Sequence, residues 1–212
     1  MSRRDKFSGQ GPTKRPQKHN KNVAAAPARQ ALRIIGGQWR GRKLEFASAN
    51  GLRPTGDRIR ETLFNWLTGH IHDAHCLDLF AGSGALSLEA LSRGAASATL
   101  LETQVQAITT LKQHLQTLNC ASSATVIGQS SLDWLQQPPL QQYDVVFIDP
   151  PFELDLWQNV FDRLSPWLTK DALIYVETPK GHPIQPPASW EPLKNKQTGQ
   201  VSYQLFQFKS HD

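Results

Sequence analysis

From residue 76 to residue 177, short apolar runs alternate with stretches of helical periodicity, and this constrains the fold of the 212-residue chain more than any other feature. The strand candidates are 76–80, 98–102, 124–128, 143–149 and 173–177; the helix candidates between them are 85–92, 104–118, 131–136 and 156–168. The first strands are near-continuous apolar runs, as a sheet covered on both faces requires. Strand–helix alternation predicts a parallel, doubly wound α/β sheet with right-handed crossovers. The C-terminal end departs from the pattern. Pro179, Pro183, Pro186 and Pro187 interrupt it, and after a loop at 194–200 a last strand at 202–209 is expected to return antiparallel.

The segments before residue 71 obey other rules. Residues 1–30 have no periodic apolar positions and are rich in Lys, Arg, Pro, Gly and Gln. Such a segment cannot bury enough apolar surface to offset the entropy of ordering, so a disordered basic tail is expected. Residues 31–70 read as an extension made of a β-hairpin and a helix. Leu32, Ile34 and Ile35 precede Gly36-Gly37, residues 43–46 follow, and Trp39, Arg40, Arg42 and Lys43 lie at the tip. A breaker at 51–54, containing Arg53 and Pro54, leads into a helix at 55–67. Thr55 is the expected N-cap, Arg58 and Arg60 sit on the first turns, and Ile59, Leu63, Phe64 and Leu67 share one face. Residues 71–212 form the main domain on this reading.

Charge follows the same division. Residues 1–60 carry a net +12 and residues 61–212 a net −7, for a total of +5. A basic front end on an acidic body suits a polyanionic partner. No apolar run approaches the roughly 20 residues that span a bilayer, and the N-terminus lacks the apolar core of a secretory signal. Cys76 and Cys120, with no export signal, read as free thiols in a reducing compartment, so a cytoplasmic location is expected. The histidines at 70, 72 and 75 have no metal-ligand spacing, and no metal is expected.

Two strand ends carry the chemistry. Residues 78–84, Asp-Leu-Phe-Ala-Gly-Ser-Gly, follow the first central strand and open a helix. Gly82 and Gly84 let the backbone approach a ligand, Ser83 sits between them, Phe80 precedes them, and the helix N-terminus offers unpaired N–H groups. A dinucleotide fingerprint would want a small third residue at position 87, where Ser87 is a weak substitute, and Asp78 would repel a pyrophosphate. Glu102 ends the next strand, 20 residues after Gly82, where a carboxylate accepts both ribose hydroxyls. A nucleoside with a cationic tail and no phosphate satisfies both acids, and S-adenosylmethionine is that molecule.

Residues 149–152, Asp-Pro-Pro-Phe, end the strand at 143–149. Residues before proline are pushed to extended backbone, so Asp149 and Pro150 are held stiff and open, and neither Pro150 nor Pro151 supplies an N–H. The Asp149 carboxylate and the Pro150 carbonyl are then fixed acceptors, with Phe152 as an aromatic face. That set fits a base bearing an exocyclic –NH2, whose delocalised lone pair becomes nucleophilic when both protons are held. Direct methyl transfer to the amine follows, with no covalent enzyme intermediate. Asp149, Pro150, Pro151 and Phe152 are the candidate catalytic group.

The segments Arg33–Gly37, Leu52-Arg53-Pro54-Thr55 with Arg58, Arg60 and Glu61, and Leu63-Phe64-Asn65 add to these two motifs. Together they make the chain similar, over about residues 32–180, to the bacterial 16S ribosomal RNA guanine-N2 methyltransferases of the RsmD type. The resemblance implies a class I S-adenosylmethionine methyltransferase fold: Rossmann-like, seven strands, mostly parallel, with an antiparallel C-terminal strand. It implies guanine N2 as acceptor, in 16S rRNA presented within small-subunit particles. It marks Asp78, Gly82, Gly84 and Glu102 as cofactor positions, and Thr55, Arg58 and Arg60 as lining the substrate and cofactor mouth. Relatives often carry an acid or amide near the adenine amine; here Gln129, Ser130 and Ser131 stand there, and Ser130 and Ser131 are the candidates. Arg40 and Arg42 of the hairpin would grip phosphates, with Trp39 stacking a base. A monomer is expected. Two other readings stay open: adenine N6 in DNA or RNA (or a protein amide) as acceptor, and a non-catalytic RNA-binding module.

Overall fold

The structure, a computed structural model, describes residue 1 and residues 29–47 and 56–210. Most of the basic tail, the breaker at 51–54 and the expected N-cap Thr55 therefore lie outside the described residues. The described chain opens with the hairpin: β1 (Arg29–Arg33) and β2 (Lys43–Ala47) pair antiparallel, and a single 3-10 turn at Gly37–Trp39 lies between them. Helix α1 (Asp57–Trp66) follows. Then β3 (His75–Asp78), α2 (Ala85–Ser92), β4 (Ser97–Leu101), α3 (Val105–Thr117), β5 (Ala124–Ile127), α4 (Ser131–Leu135), β6 (Tyr143–Ile148) and α5 (Trp157–Leu164) alternate as the apolar pattern requires. The chain ends with β7 (Leu168–Pro179), β8 (Trp190–Thr198) and β9 (Val201–Phe208).

Strands β3 to β9 form one seven-stranded sheet in the order β5-β4-β3-β6-β7-β9-β8, parallel except for β9, which pairs antiparallel with both neighbours. Strand order reverses between β3 and β6, and in open α/β sheets ligands bind beyond the carboxyl ends of the strands at such a reversal. The expected loop at 194–200 is corrected here: 190–198 is strand β8, and Gly199-Gln200 alone turn the chain. This strand lies at the sheet edge and is exposed along most of its length, so it shows no alternation of apolar and polar residues. Pro192, beside a register shift, and the charges of Glu191, Lys194 and Lys196 suit an edge that must not pair further.

The two sheet faces bury separate clusters. On one, Cys76, Phe147, Leu173 and Tyr175 meet Leu63 and Phe64 of α1, Leu88 of α2, Leu111 of α3 and Leu32 and Leu44 of the hairpin. On the other, Leu77, Val146, Ile148 and Ile174 meet Trp134 of α4 and Trp157, Val160 and Phe161 of α5. The hairpin and α1 thus share the core of the main sheet. Helix α2 is buried at every position because it lies between sheet and hairpin. The Ser92 hydroxyl donates to the Gly36 carbonyl (2.6 Å) and accepts from the Trp39 N–H (3.0 Å). Gly37, at φ +72°, runs so close that a Cβ there would sit 1.8 Å from the Ser92 carbonyl.

Arg60 departs from its expected place. Its side chain has no exposure, donates to the Arg33 carbonyl (2.8 Å) and to Asp57 (2.6 Å), and lies 3.7 Å from Glu89, which is equally enclosed. Glu89 also accepts from the Ile35 N–H and from Arg93. Burying this cation between hairpin, α1 and α2 makes it an internal clasp and removes it from any substrate mouth. Arg58, one residue from the apolar Ile59, is exposed.

Candidate active site at the carboxyl ends of the central strands

Strand register sets the site. Asp78, the last residue of β3, lies opposite Leu100 of β4 and Phe147 of β6. Glu102 and Asp149 each stand two residues beyond those partners, so three carboxylates converge around the reversal of strand order. Asp78 is 2% exposed. Its carboxylate accepts from the Ser87 hydroxyl at 2.7 Å and, more weakly, from the Phe80 N–H at 3.4 Å. The residue that spoils a dinucleotide fingerprint is therefore the one that holds the aspartate. Burial, with Asp149 and Glu102 adding, pushes Asp78 up to about 7 against the pull of those two hydrogen bonds. A carboxylate kept in a place that disfavours its charge calls for a cation beside it.

Gly82 and Gly84 both adopt positive φ, at 51° and 78°. At Gly84, the N-cap of α2, a side chain would be strained and its Cβ would lie 2.6 Å from Leu111. Glu102 is half-buried and already multiply bonded: Oε2 accepts from the Gly82 N–H (2.9 Å), Oε1 from the N–H groups of Thr103 and Gln104 (2.8 Å each). It ties the glycine loop to the start of α3. A carboxylate has about four acceptor directions, which leaves room for a ribose hydroxyl. Phe80 is half-buried against the α4–α5 core, and Ser83 is buried in the loop.

The serines after β5 divide. The Ser131 hydroxyl donates a short bond to the Leu79 carbonyl and is buried, so it fastens α4 to the end of β3 and keeps only its acceptor lone pairs for any further contact. Ser130, the half-exposed N-cap of α4, makes no side-chain cap bond.

Beyond β6 the Asp-Pro-Pro-Phe turn runs as its composition requires. Asp149 is half-buried, Pro150 buried, Pro151 exposed, and the Pro151 carbonyl accepts the Leu154 N–H at 3.1 Å. Phe152 opens a 3-10 turn and stays half-exposed, 5.9 Å from the buried Trp157 ring. At the hairpin Arg40 and Arg42 are exposed, whereas Trp39 packs partly against the core, which limits its use as a stacking ring. Arg53 and Thr55 lie outside the described residues. Two residues the sequence reading passed over lie on the strand beside β6: Glu177, 5% exposed near the end of β7, and Tyr175, whose hydroxyl donates to it at 2.8 Å. The signal was present, since Glu177 ends the apolar run beside the one that ends in Asp149.

Residues 32–207 match the family model described as conserved hypothetical protein 95. The chain is 52% identical to a Haemophilus influenzae protein named ribosomal RNA small subunit methyltransferase D, over 88% of this chain and 99% of that one. The solved structure of the Escherichia coli protein yhhF superposes with a TM-score of 0.77 at 46% identity, covering 86% of this chain and all of that one. The fold reaches further: the protein SMU.776, solved with SAH, has a TM-score of 0.64 at 15% identity over 78% of this chain and 53% of that one.

Proposed function

The chain belongs to the conserved hypothetical protein 95 family, with the bacterial ribosomal RNA small subunit methyltransferases D, and has the class I methyltransferase fold; on that premise we propose that it transfers a methyl group from S-adenosylmethionine to the N2 amine of a guanine in 16S rRNA. The observation that carries this reading is the convergence of Asp78, Glu102 and Asp149 where the strand order reverses.

The residues present fit the cofactor. Asp78, raised chiefly by its burial, would pair with the ammonium group of the methionine part. Glu102, already accepting three backbone N–H groups, would accept one ribose hydroxyl, and Gly82 and Gly84 place no side chain at the two positive-φ positions of the loop. When bound, S-adenosylmethionine supplies an electrophilic methyl group on a sulfonium. The protein must then make an amine nucleophilic. The Asp149 carboxylate and Pro150 carbonyl would accept its two N–H protons, drawing the nitrogen toward tetrahedral geometry. Asp149 would then accept the proton that the nitrogen loses. Phe152 would stack on the base, a contact worth about 1–3 kcal/mol.

Exposed Arg40, Arg42 and Arg58, with Arg53 and Thr55 outside the described residues, are the proposed RNA contacts. A small-subunit particle as substrate suits a +12 front end on a −7 body, because phosphate contacts add up over a large folded RNA. The test offers tritiated cofactor with unmodified small-subunit particles, bare 16S rRNA and DNA, then maps the label by mass spectrometry. Label on guanine N2 of particle rRNA is the expected result; label confined to adenine or to DNA would overturn the reading.

A further inference from the structure

The sheet's alternation decides which residues face the transfer site. Ile148, Ile174 and Val176 lie in the α4–α5 core, whereas Phe147, Leu173 and Tyr175 lie in the core beneath α1 and α2. With a period of two, Asp149 and Glu177 both fall on the α1–α2 side. The pairing of Ile148 with Val176 then makes them neighbours on adjacent strand tips, about 4.8 Å apart by strand spacing.

Glu177 is held from two sides. The Tyr175 hydroxyl donates to Oε2 at 2.8 Å, and the Trp157 indole N–H donates to the Glu177 carbonyl at 2.8 Å. Tyr203 lies beside Tyr175 and stacks on Trp66, so α1 closes the outer wall. An enclosed carboxylate destabilises a fold unless donors meet it. Among the described residues the Tyr175 hydroxyl is the hydrogen-bond donor that reaches this carboxylate. A second donor supplied by a ligand would complete it.

Building on the guanine-N2 reading, we propose that Glu177 is a specificity-determining residue that accepts the guanine N1–H while Asp149 accepts from the N2 amine. The chemistry of the bases gives the reason. The guanine amine is flanked by a ring N–H on one side, so two neighbouring acceptors match its edge. The adenine amine is flanked by ring nitrogens that are both acceptors, and a carboxylate beside either one repels it. A pair of carboxylates on adjacent strand tips thus accepts guanine and rejects adenine, through the same discrimination by unmatched polar groups that makes hydrogen-bonding sites selective.

The experiment uses the full chain and reconstituted small-subunit particles carrying, at the methylated position, either guanine or 2-aminopurine, which keeps the N2 amine but has no N1–H. The native protein should prefer guanine by about 10- to 100-fold in kcat/KM, the span of one hydrogen bond to a charged group. Glu177→Gln, whose amide can donate to the unprotonated N1, should shrink that preference at least tenfold while the cofactor Kd stays within about threefold. Tyr175→Phe, which keeps the carboxylate but loosens it, should shrink the preference by a smaller factor, and it decides the matter if the glutamine variant does not fold. An unchanged preference in the folded variants overturns the role of Glu177. Failure of the underlying guanine reading is separately visible, because mapping would then find no label at that position in the guanine particle.

Discussion

The two sides of the strand-order reversal are held by different means, backbone N–H groups at one and a proline turn with a tyrosine–glutamate pair at the other. On the β3–β4 side the chain satisfies its own carboxylates: Ser87 and Phe80 serve Asp78, and three backbone N–H groups serve Glu102. On the β6–β7 side two prolines remove backbone donors, and an aromatic ring stays half-exposed beside them. The first side is preorganised, so its ligand contacts are coupled to the stability of the fold. The second sets a stiff proline turn beside a half-exposed aromatic ring, so its residues should matter more for turnover than for folding.

The strongest way to break this contrast is Asp149→Ala. Turnover on ribosomal particles should fall by about 10²–10³-fold, the usual cost of deleting one preorganised electrostatic contact at a reacting centre, while cofactor affinity stays within about threefold. An equal loss in cofactor affinity by calorimetry would merge the two sides.

Asp78→Asn should act in the reverse sense. Cofactor affinity should weaken by about 10- to 100-fold through loss of one charge-assisted hydrogen bond. The cofactor-free protein should meanwhile gain stability at pH 8. Asp78 is raised from 3.8 to about 7 by burial, so ionising it destabilises the folded state. That penalty is absent below pH 3.8, grows through the interval and is complete above about 7. Melting curves at pH 8 and pH 4 should show the variant's advantage at the higher pH only; equal shifts at both would mean that Asp78 is not strained by its burial.

The same shift predicts how cofactor binding responds to acid. Between pH 7 and 5.5, below the range where α-amino groups titrate, affinity should fall by up to about tenfold per pH unit as Asp78 takes a proton. Binding at pH 6 should release protons, measurable from calorimetry in buffers of different ionisation heat. A flat profile would detach Asp78 from the ammonium group. The smallest expected effect lies at the chain's front end. Deleting residues 1–30 should flatten the salt dependence of RNA binding by roughly 0.7–0.9 in log–log slope per lost phosphate contact. An identical slope would make the tail a bystander.

Much of the site was legible because its parts are local. Asp78 through Gly84 and Asp149 through Phe152 are contiguous, and their place after buried strands follows from the apolar runs around them. What escaped the sequence was reciprocity across strands. Arg60 reads as a surface cation on the first turns of a helix, yet the hairpin closes over it and Glu89 of α2 faces it. Ser131 reads as a ligand contact, and that its hydroxyl also fastens α4 to the Leu79 carbonyl was not legible. Edge strand β8 escaped because exposure along its length removes the alternation by which a strand is recognised.

Taken alone, the sequence determined the order of strands and helices, the glycine loop and the acid–proline turn, since hydrophobic periodicity and backbone sterics act over a few neighbouring residues. Only the tertiary structure decided which carboxylates share a face and which cations are enclosed. Those outcomes depend on register between strands far apart in the chain, where a slip of one residue would send Glu177 to the opposite side of the sheet from Asp149.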